Sequence, residues 1–134
     1  MSQENLEVAN RAVDAVNQGN ADAFVELTTA DIDWRPAIAS AAVGMGYRGH
    51  DAVRGYIGQL CENFDAVQTV FDEFRDIDGR VLAGGRFKGM GTGSDIPTDL
   101  PTWSLFEFRG GRISRIRGYF DHGKALRAAG LASV

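Results

Sequence analysis

The sequence predicts an α+β domain in which N-terminal helices cover one face of a curved antiparallel sheet, giving a cone-shaped half barrel. Three observations predict it. Apolar residues recur at helical spacing in the stretches before Phe64, they follow a period of two after it, and the later part doubles back at Asp78-Gly79 and at Gly110-Gly111. Helices first and hairpins afterwards is the order of an α+β arrangement.

The elements follow in turn. Leu6, Ala9, Val13 and Val16 share one face of a first helix that Gly19 stops. Asn20 can cap a short second helix, with Phe24 and Leu27 on its buried side and its end near Thr29. "DIDWRP" alternates Ile32 and Trp34 with charged residues, and Pro36 ends this strand. Ala37 to Gly46 follows neither period and reads as a loop or lid. Val53, Ile57, Leu60, Cys61 and Phe64 form the apolar side of a third helix that starts near His50, with Asp51 at its positive end. "AVQTVFDEFRDI" and "RVLAGGRFKGMGT" then make one hairpin, "LPTWSLFEFR" and "RISRIRGYF" another, and Gly123 to Ala129 a last helix ending at Gly130. Glycines 84, 85, 89 and 91 within one strand call for sharp bending or for close approach of backbone or ligand.

With 134 residues, 44% of them hydrophobic and 24% charged, the chain suits a single domain over residues 1–134 with one core. Fourteen basic against eighteen acidic residues give a net charge of -4, which argues against nucleic acid or an anionic membrane as partner. One cysteine, Cys61, cannot form an internal disulfide, and with two histidines it is too little for a zinc cage, so no metal is expected and no cofactor either. "MSQENLEVANRAVDAV" has no basic region followed by an apolar run, and no stretch approaches 18 apolar residues; a cytoplasmic protein is expected.

The order "GNADAF", "DIDW", "YRGHDAVRGYI", "GGRI" and "YFDHGKALRAAGL" resembles the SnoaL-like branch of the nuclear transport factor 2-like superfamily, over nearly the whole chain. The resemblance implies an α+β cone with an apolar pocket, often in a dimer. It does not choose a function, because the superfamily holds cyclases, ketosteroid isomerases, limonene epoxide hydrolases and non-catalytic modules. "GMGYRG", a literal G-x-G-x-x-G, is not a dinucleotide site here, since antiparallel strands rather than a parallel βαβ unit follow it.

Each implied chemistry can be matched to residues. Ketosteroid isomerases resemble the chain near "DIDWRP" but place their base where Arg35 stands, and arginine stays protonated. Their phenolic donor falls on Ala12. Limonene epoxide hydrolases use two aspartates and an arginine; Arg86 matches the arginine, whereas Lys88 and Gly118 stand at the aspartate positions. The same match points Arg86 and Lys88 toward the cavity, with Ile116, Gly118 and Phe120 from the neighbouring strand; the other reading sends both cations to solvent. SnoaL-type cyclases place a general acid/base where Asp121 stands, yet their helping histidine has no counterpart between Thr102 and Arg109.

Asp121 therefore has two readings, a helix cap and a pocket acid whose pKa burial would raise. His122 beside it faces another way, and His50 at a helix start reads as solvent-exposed. Trp34, Tyr56, Thr102, Ser104, Phe106, Ile116 and Phe120 are the candidate ligand-binding residues, and Asp121, Arg86 and Lys88 the candidate catalytic ones. Two functions stay open. One is a binding module for an apolar, partly anionic or polyketide-like molecule. The other is a proton-transfer enzyme, a cyclase or isomerase, using Asp121 with Arg86 or Lys88. Apolar residues at both parities of "TWSLFEF" require cover on both sheet faces, for which a second copy in a homodimer is the simplest source.

Overall fold

The computed structural model describes residues 2–37, 46–91 and 97–131. Helix α1 (Ser2–Asn17) and the short α2 (Ala21–Glu26) precede strand β1 (Thr28–Arg35). A two-residue strand, β2 (Tyr47–Arg48), leads into α3 (His50–Asn63). Four strands follow, β3 (Phe64–Ile77), β4 (Arg80–Gly91), β5 (Pro97–Arg109) and β6 (Arg112–Tyr119), and α4 (His122–Ala128) closes the described chain. The expected elements are present, and β2 is an addition to them. The loop or lid expected from Ala37 to Gly46 falls mostly on 38–45, outside the described residues.

Local chemistry accounts for the boundaries. The Asn20 side chain accepts from Ala23 N at 3.1 Å and so caps α2. That helix stops before the expected Thr29 because Thr28 already pairs with Ile113 in the sheet. Both hairpin turns put two successive residues at positive φ, 54° and 89° at Asp78 and Gly79, 61° and 79° at Gly110 and Gly111, the twist that matches paired strands.

The strands form one curved, unclosed sheet in the order β2-β1-β6-β5-β4-β3. Its pairs are antiparallel except one. β1 runs parallel to β6, with Trp34 beside Ile116 and Arg35 beside Arg117, a correction to the all-antiparallel expectation. Neighbours so far apart in sequence need no hairpin, and the whole α3 to β5 stretch serves as their crossover.

Ala9, Ala12 and Ala15 of α1 are buried, and their small side chains let the helix lie close over the concave face. Phe24, Ile32, Val53, Ile57, Val81, Ala83, Phe106 and Ile113 complete this main core. Burial of Phe24 alone, at 1% exposure, is worth about 1.5–3 kcal/mol. A second, smaller core joins Leu82 and Leu105 to Ala125 and Ala129 of α4. Leu82 lies between Val81 and Ala83, which belong to the main core, so this second core is on the convex face. Arg80 donates to the Ala129 carbonyl at 2.9 Å and ties α4 there. Both faces of β5 are covered, as its sequence requires. The cover over Leu105 and Trp103 comes from the chain's own α4 rather than from a second copy, so that argument for a homodimer loses its premise at this spot.

Two glycines are fixed by close approach. A Cβ at Gly85 would lie 1.9 Å from the Val70 carbonyl oxygen, beside the register shift between Phe71 and Glu73. A Cβ at Gly118 would lie 2.3 Å from Ala37 N, where the chain leaving β1 crosses β6. The strand glycines thus allow bending and backbone contact.

Candidate functional site

Between α1, α3 and the concave face lies a cavity of about 80 Å³. Val13 and Val16 reach it from α1, Tyr56 and Leu60 from α3, and Phe71 and Phe87 from β3 and β4. All seven residues expected to bind ligand line it: Trp34 from β1, Tyr56, then Thr102, Ser104 and Phe106 at alternate positions of β5, and Ile116 with Phe120 from β6 and its end. Alternation in a strand puts residues two apart on one face, which is why this group could be found from the sequence. Val16, Phe71 and Phe120 keep partial exposure, so the cavity communicates with solvent.

An aromatic chain builds its deep wall. Phe24 stacks on Trp34 with ring centroids 5.0 Å apart, Trp34 meets Tyr56 edge-on at 5.0 Å, and Tyr56 stacks on Tyr47 at 4.5 Å. Trp34 is 9% exposed and Tyr56 6%. Burial, with a smaller contribution from Tyr47, pushes the Tyr56 phenol well above its ordinary pKa, so it stays protonated. Thr102 Oγ1 donates to the Tyr119 carbonyl at 3.5 Å, a long bond.

The three candidate catalytic residues do not join this wall. Phe87 does, and its neighbours Arg86 and Lys88 are consequently on the opposite face, exposed. Arg86 Nε donates to Asp99 Oδ1 at 2.8 Å, and its terminal nitrogen to the Asp99 carbonyl at 3.3 Å. The inward placement of Arg86 and Lys88 is therefore corrected, and with it the positive end of the pocket. Alternation of Val81, Ala83 and Phe87 carried the right parity. Asp121 is also corrected as a pocket acid. It is exposed, and its Oδ1 accepts from Lys124 N at 2.9 Å as the cap of α4. That backbone bond, more than the Lys124 and Arg127 charges, holds its carboxyl below the usual range, opposite to the raised pKa an acid at neutrality needs.

The histidines have other partners. His122 stacks flat on Trp103, centroids 4.7 Å apart, on the convex side. His50 is not simply solvent-exposed. Thr28 Oγ1 gives its proton to the Val25 carbonyl at 2.9 Å and so can accept from His50 Nε2 at 3.1 Å.

One charged group was not foreseen. Arg117, 12% exposed, donates to the Asp33 carbonyl at 3.0 Å and to its Oδ2 at 3.1 Å, and Arg48 reaches the same oxygen at 3.3 Å. Partial burial works to raise the Asp33 carboxyl, but the bonds and charges of Arg117 and Arg48 outweigh it and hold the group below its ordinary value. No three His, Cys, Asp or Glu side chains come together as a metal site among the described residues. Nor, among those residues, is any helix long and apolar enough to cross a membrane.

With this geometry established, known proteins give a consistent picture. A sequence model described as the SnoaL-like domain matches residues 9–116. No curated protein matches the sequence. Solved structures do. A protein with a ketosteroid isomerase-like fold from Catenulispora acidiphila, in complex with trimethylamine, superposes with a TM-score of 0.77 at 20% identity, covering 94% of each chain. An NTF2-like protein of unknown function from Burkholderia pseudomallei gives 0.77 at 17% identity, covering 92% of this chain and 95% of the other. TerC, co-crystallised with polyporic acid, gives 0.76 at 14% identity, covering 95% and 98%. These likenesses establish a shared fold.

Proposed function

The chain belongs to the SnoaL-like domain family, and we propose that within it this protein binds an uncharged, mainly apolar small molecule in the cavity between α1, α3 and the sheet. One observation carries the reading. The wall consists of aliphatic and aromatic side chains with a few hydroxyls, and no carboxylate, imidazole, ammonium or guanidinium lines it among the described residues. Burying apolar surface there is favourable, whereas a charge enclosed without a partner is costly. Two proteins of the same fold carry small organic molecules, trimethylamine and polyporic acid, which supports a ligand of that general size class.

The expected anionic preference rested on Arg86 and Lys88 and does not survive their outward placement. The proton-transfer alternative rested on Asp121 and fares no better. Among the described residues Tyr56 is the one titratable group in the wall, and it remains protonated through the neutral range. A binding module is the simpler account of such a wall.

Toluene is a suitable probe, followed by amide chemical shifts. Saturable shifts should concentrate at cavity residues such as Val13, Phe87 and Ile116. Val16→Trp, at the half-exposed part of the wall, should plug the cavity and abolish them, with Ser104→Phe as a second plug. Equal toluene affinity in both folded variants would overturn the reading.

A further inference from the structure

Among the described residues two large hydrophobic side chains are exposed, Val70 at 41% and Leu100 at 40%. They stand on opposite faces of the sheet. Val70 pairs with Arg86, on the face away from the cavity. Leu100 pairs with Phe87, which lines the cavity, and cross-strand partners share a face. The parity of β5 agrees. Phe106, Ser104 and Thr102 line the cavity in steps of two residues, and Leu100 is the next step outward, about 6.6 Å along the strand from Thr102. An apolar side chain in water thus continues the line of the wall past the enclosed part.

The way out has two aromatic sides. Phe71 pairs with Gly85 and Gly85 with Thr102, while Phe120 follows the Trp103–Tyr119 pair and so comes level with Thr102. Two half-buried rings therefore flank a floor that holds a glycine and one short side chain. Size adds an independent reason to look outward. The cavity measures about 80 Å³, whereas a cavity that encloses benzene completely measures about 150 Å³. A single ring already fills the enclosed part, and any further carbon lies at the level of Leu100.

Resting on the reading of the cavity as a binding site, we propose that the ligand is longer than the cavity: a compact apolar head sits inside, and an unbranched hydrocarbon chain leaves between Phe71 and Phe120 and lies on Leu100. The class is a neutral molecule bearing an alkyl or alkenyl chain. A branch at this point would have to stand between the two phenylalanines, whereas a straight chain needs the width of one methylene. Covering Leu100 takes apolar surface out of water on both partners, which is the gain that drives the contact. Leu100 then sets specificity for the chain and leaves the head to the cavity.

Leu100→Thr keeps a strand-favouring residue and removes most of the apolar reach. Val70→Thr is the matched exchange on the other face. Both positions are exposed, so neither exchange dismantles the core. Dissociation constants of toluene, ethylbenzene, n-propylbenzene and n-butylbenzene are measured on the wild-type chain and both variants, with tert-butylbenzene as the branched isomer of the last.

A methylene taken fully out of water is worth about fourfold in affinity, and one covered on a single side about twofold. Wild type and Val70→Thr should therefore gain about eightfold over the three methylenes from toluene to n-butylbenzene, and Leu100→Thr only about twofold, with toluene affinity equal in all three chains. Tert-butylbenzene should bind wild type more weakly than n-butylbenzene. An equal gain in wild type and Leu100→Thr overturns the proposal, as does no gain along the series in wild type, a loss as large in Val70→Thr as in Leu100→Thr, or a branched isomer that binds as tightly as the linear one. In each of these cases toluene binding leaves the cavity a binding site. If toluene itself fails to bind the wild-type chain, the reading beneath the proposal falls and the proposal with it.

Discussion

Asp33 and Arg117 meet across the parallel β1–β6 pair with an oxygen-to-nitrogen distance of 3.1 Å, and the same arginine holds the Asp33 carbonyl at 3.0 Å. Two bonds from one guanidinium thus join side chain and backbone of a strand 84 residues away. β1 carries Trp34 into the cavity, so this ion pair on the other face helps fix the position of a wall residue.

Removing the arginine should be costly because its partner is half-buried. Arg117→Met is expected to destabilise the fold by about 1–3 kcal/mol, through lost bonds to a charged group and a carboxylate left with the exposed Arg48 as its cation. Adding Asp33→Asn should recover part of that loss. Urea unfolding of the four chains of the cycle checks it, and additive losses would mean the two residues do not interact.

Acid should act through the same pair. Asp33 has a folded pKa below its unfolded value, so it adds stability above about pH 4 and loses it as the pH falls through that value toward the folded one. The stability difference between wild type and Asp33→Asn should be constant from about pH 7 to 5 and shrink below about pH 4. Urea titrations at stepped pH give that difference. A constant gap down to pH 3 would rule the linkage out.

At Gly118 the crowding is by backbone. Gly118→Ala should cost about 1–3 kcal/mol, since a methyl 2.3 Å from Ala37 N forces β6 or the crossing segment to move. Thermal melts would report it. A melting temperature equal to wild type would show that the crossing segment yields freely.

Asp121 should behave as a cap and nothing more. Asp121→Asn keeps an acceptor for Lys124 N, whereas Asp121→Ala does not, so melting temperature should fall in the order wild type, Asn, Ala. Toluene affinity should be the same in all three chains. A change in affinity with Asp121→Asn would return this residue to the cavity.

Much of this architecture was legible because hydrophobic period changes at Phe64 and because each turn carries its own chemistry. Alternation also exposed the wall residues Thr102, Ser104 and Phe106. For Arg86 and Lys88 it was overridden, because glycines at 84 and 85 thin the apolar pattern and the resemblance to limonene epoxide hydrolases set the opposite parity. Asp121 was ambiguous for a physical reason, since a cap and an acid use the same carboxylate and only its surroundings separate them. Asp33 with Arg117 could not be read at all, because a parallel pairing of first and last strands leaves no local signal in either.

The chain's two tryptophans occupy opposite sides of one sheet, Trp34 in the cavity against Tyr56 and Trp103 beneath α4 against His122. The molecule therefore carries two intrinsic optical channels. Emission from Trp34 reports what enters the cone, and emission from Trp103 reports whether the C-terminal helix is seated. A Trp103→Phe chain isolates the first signal, so that occupancy can be followed by fluorescence in real time with no label attached.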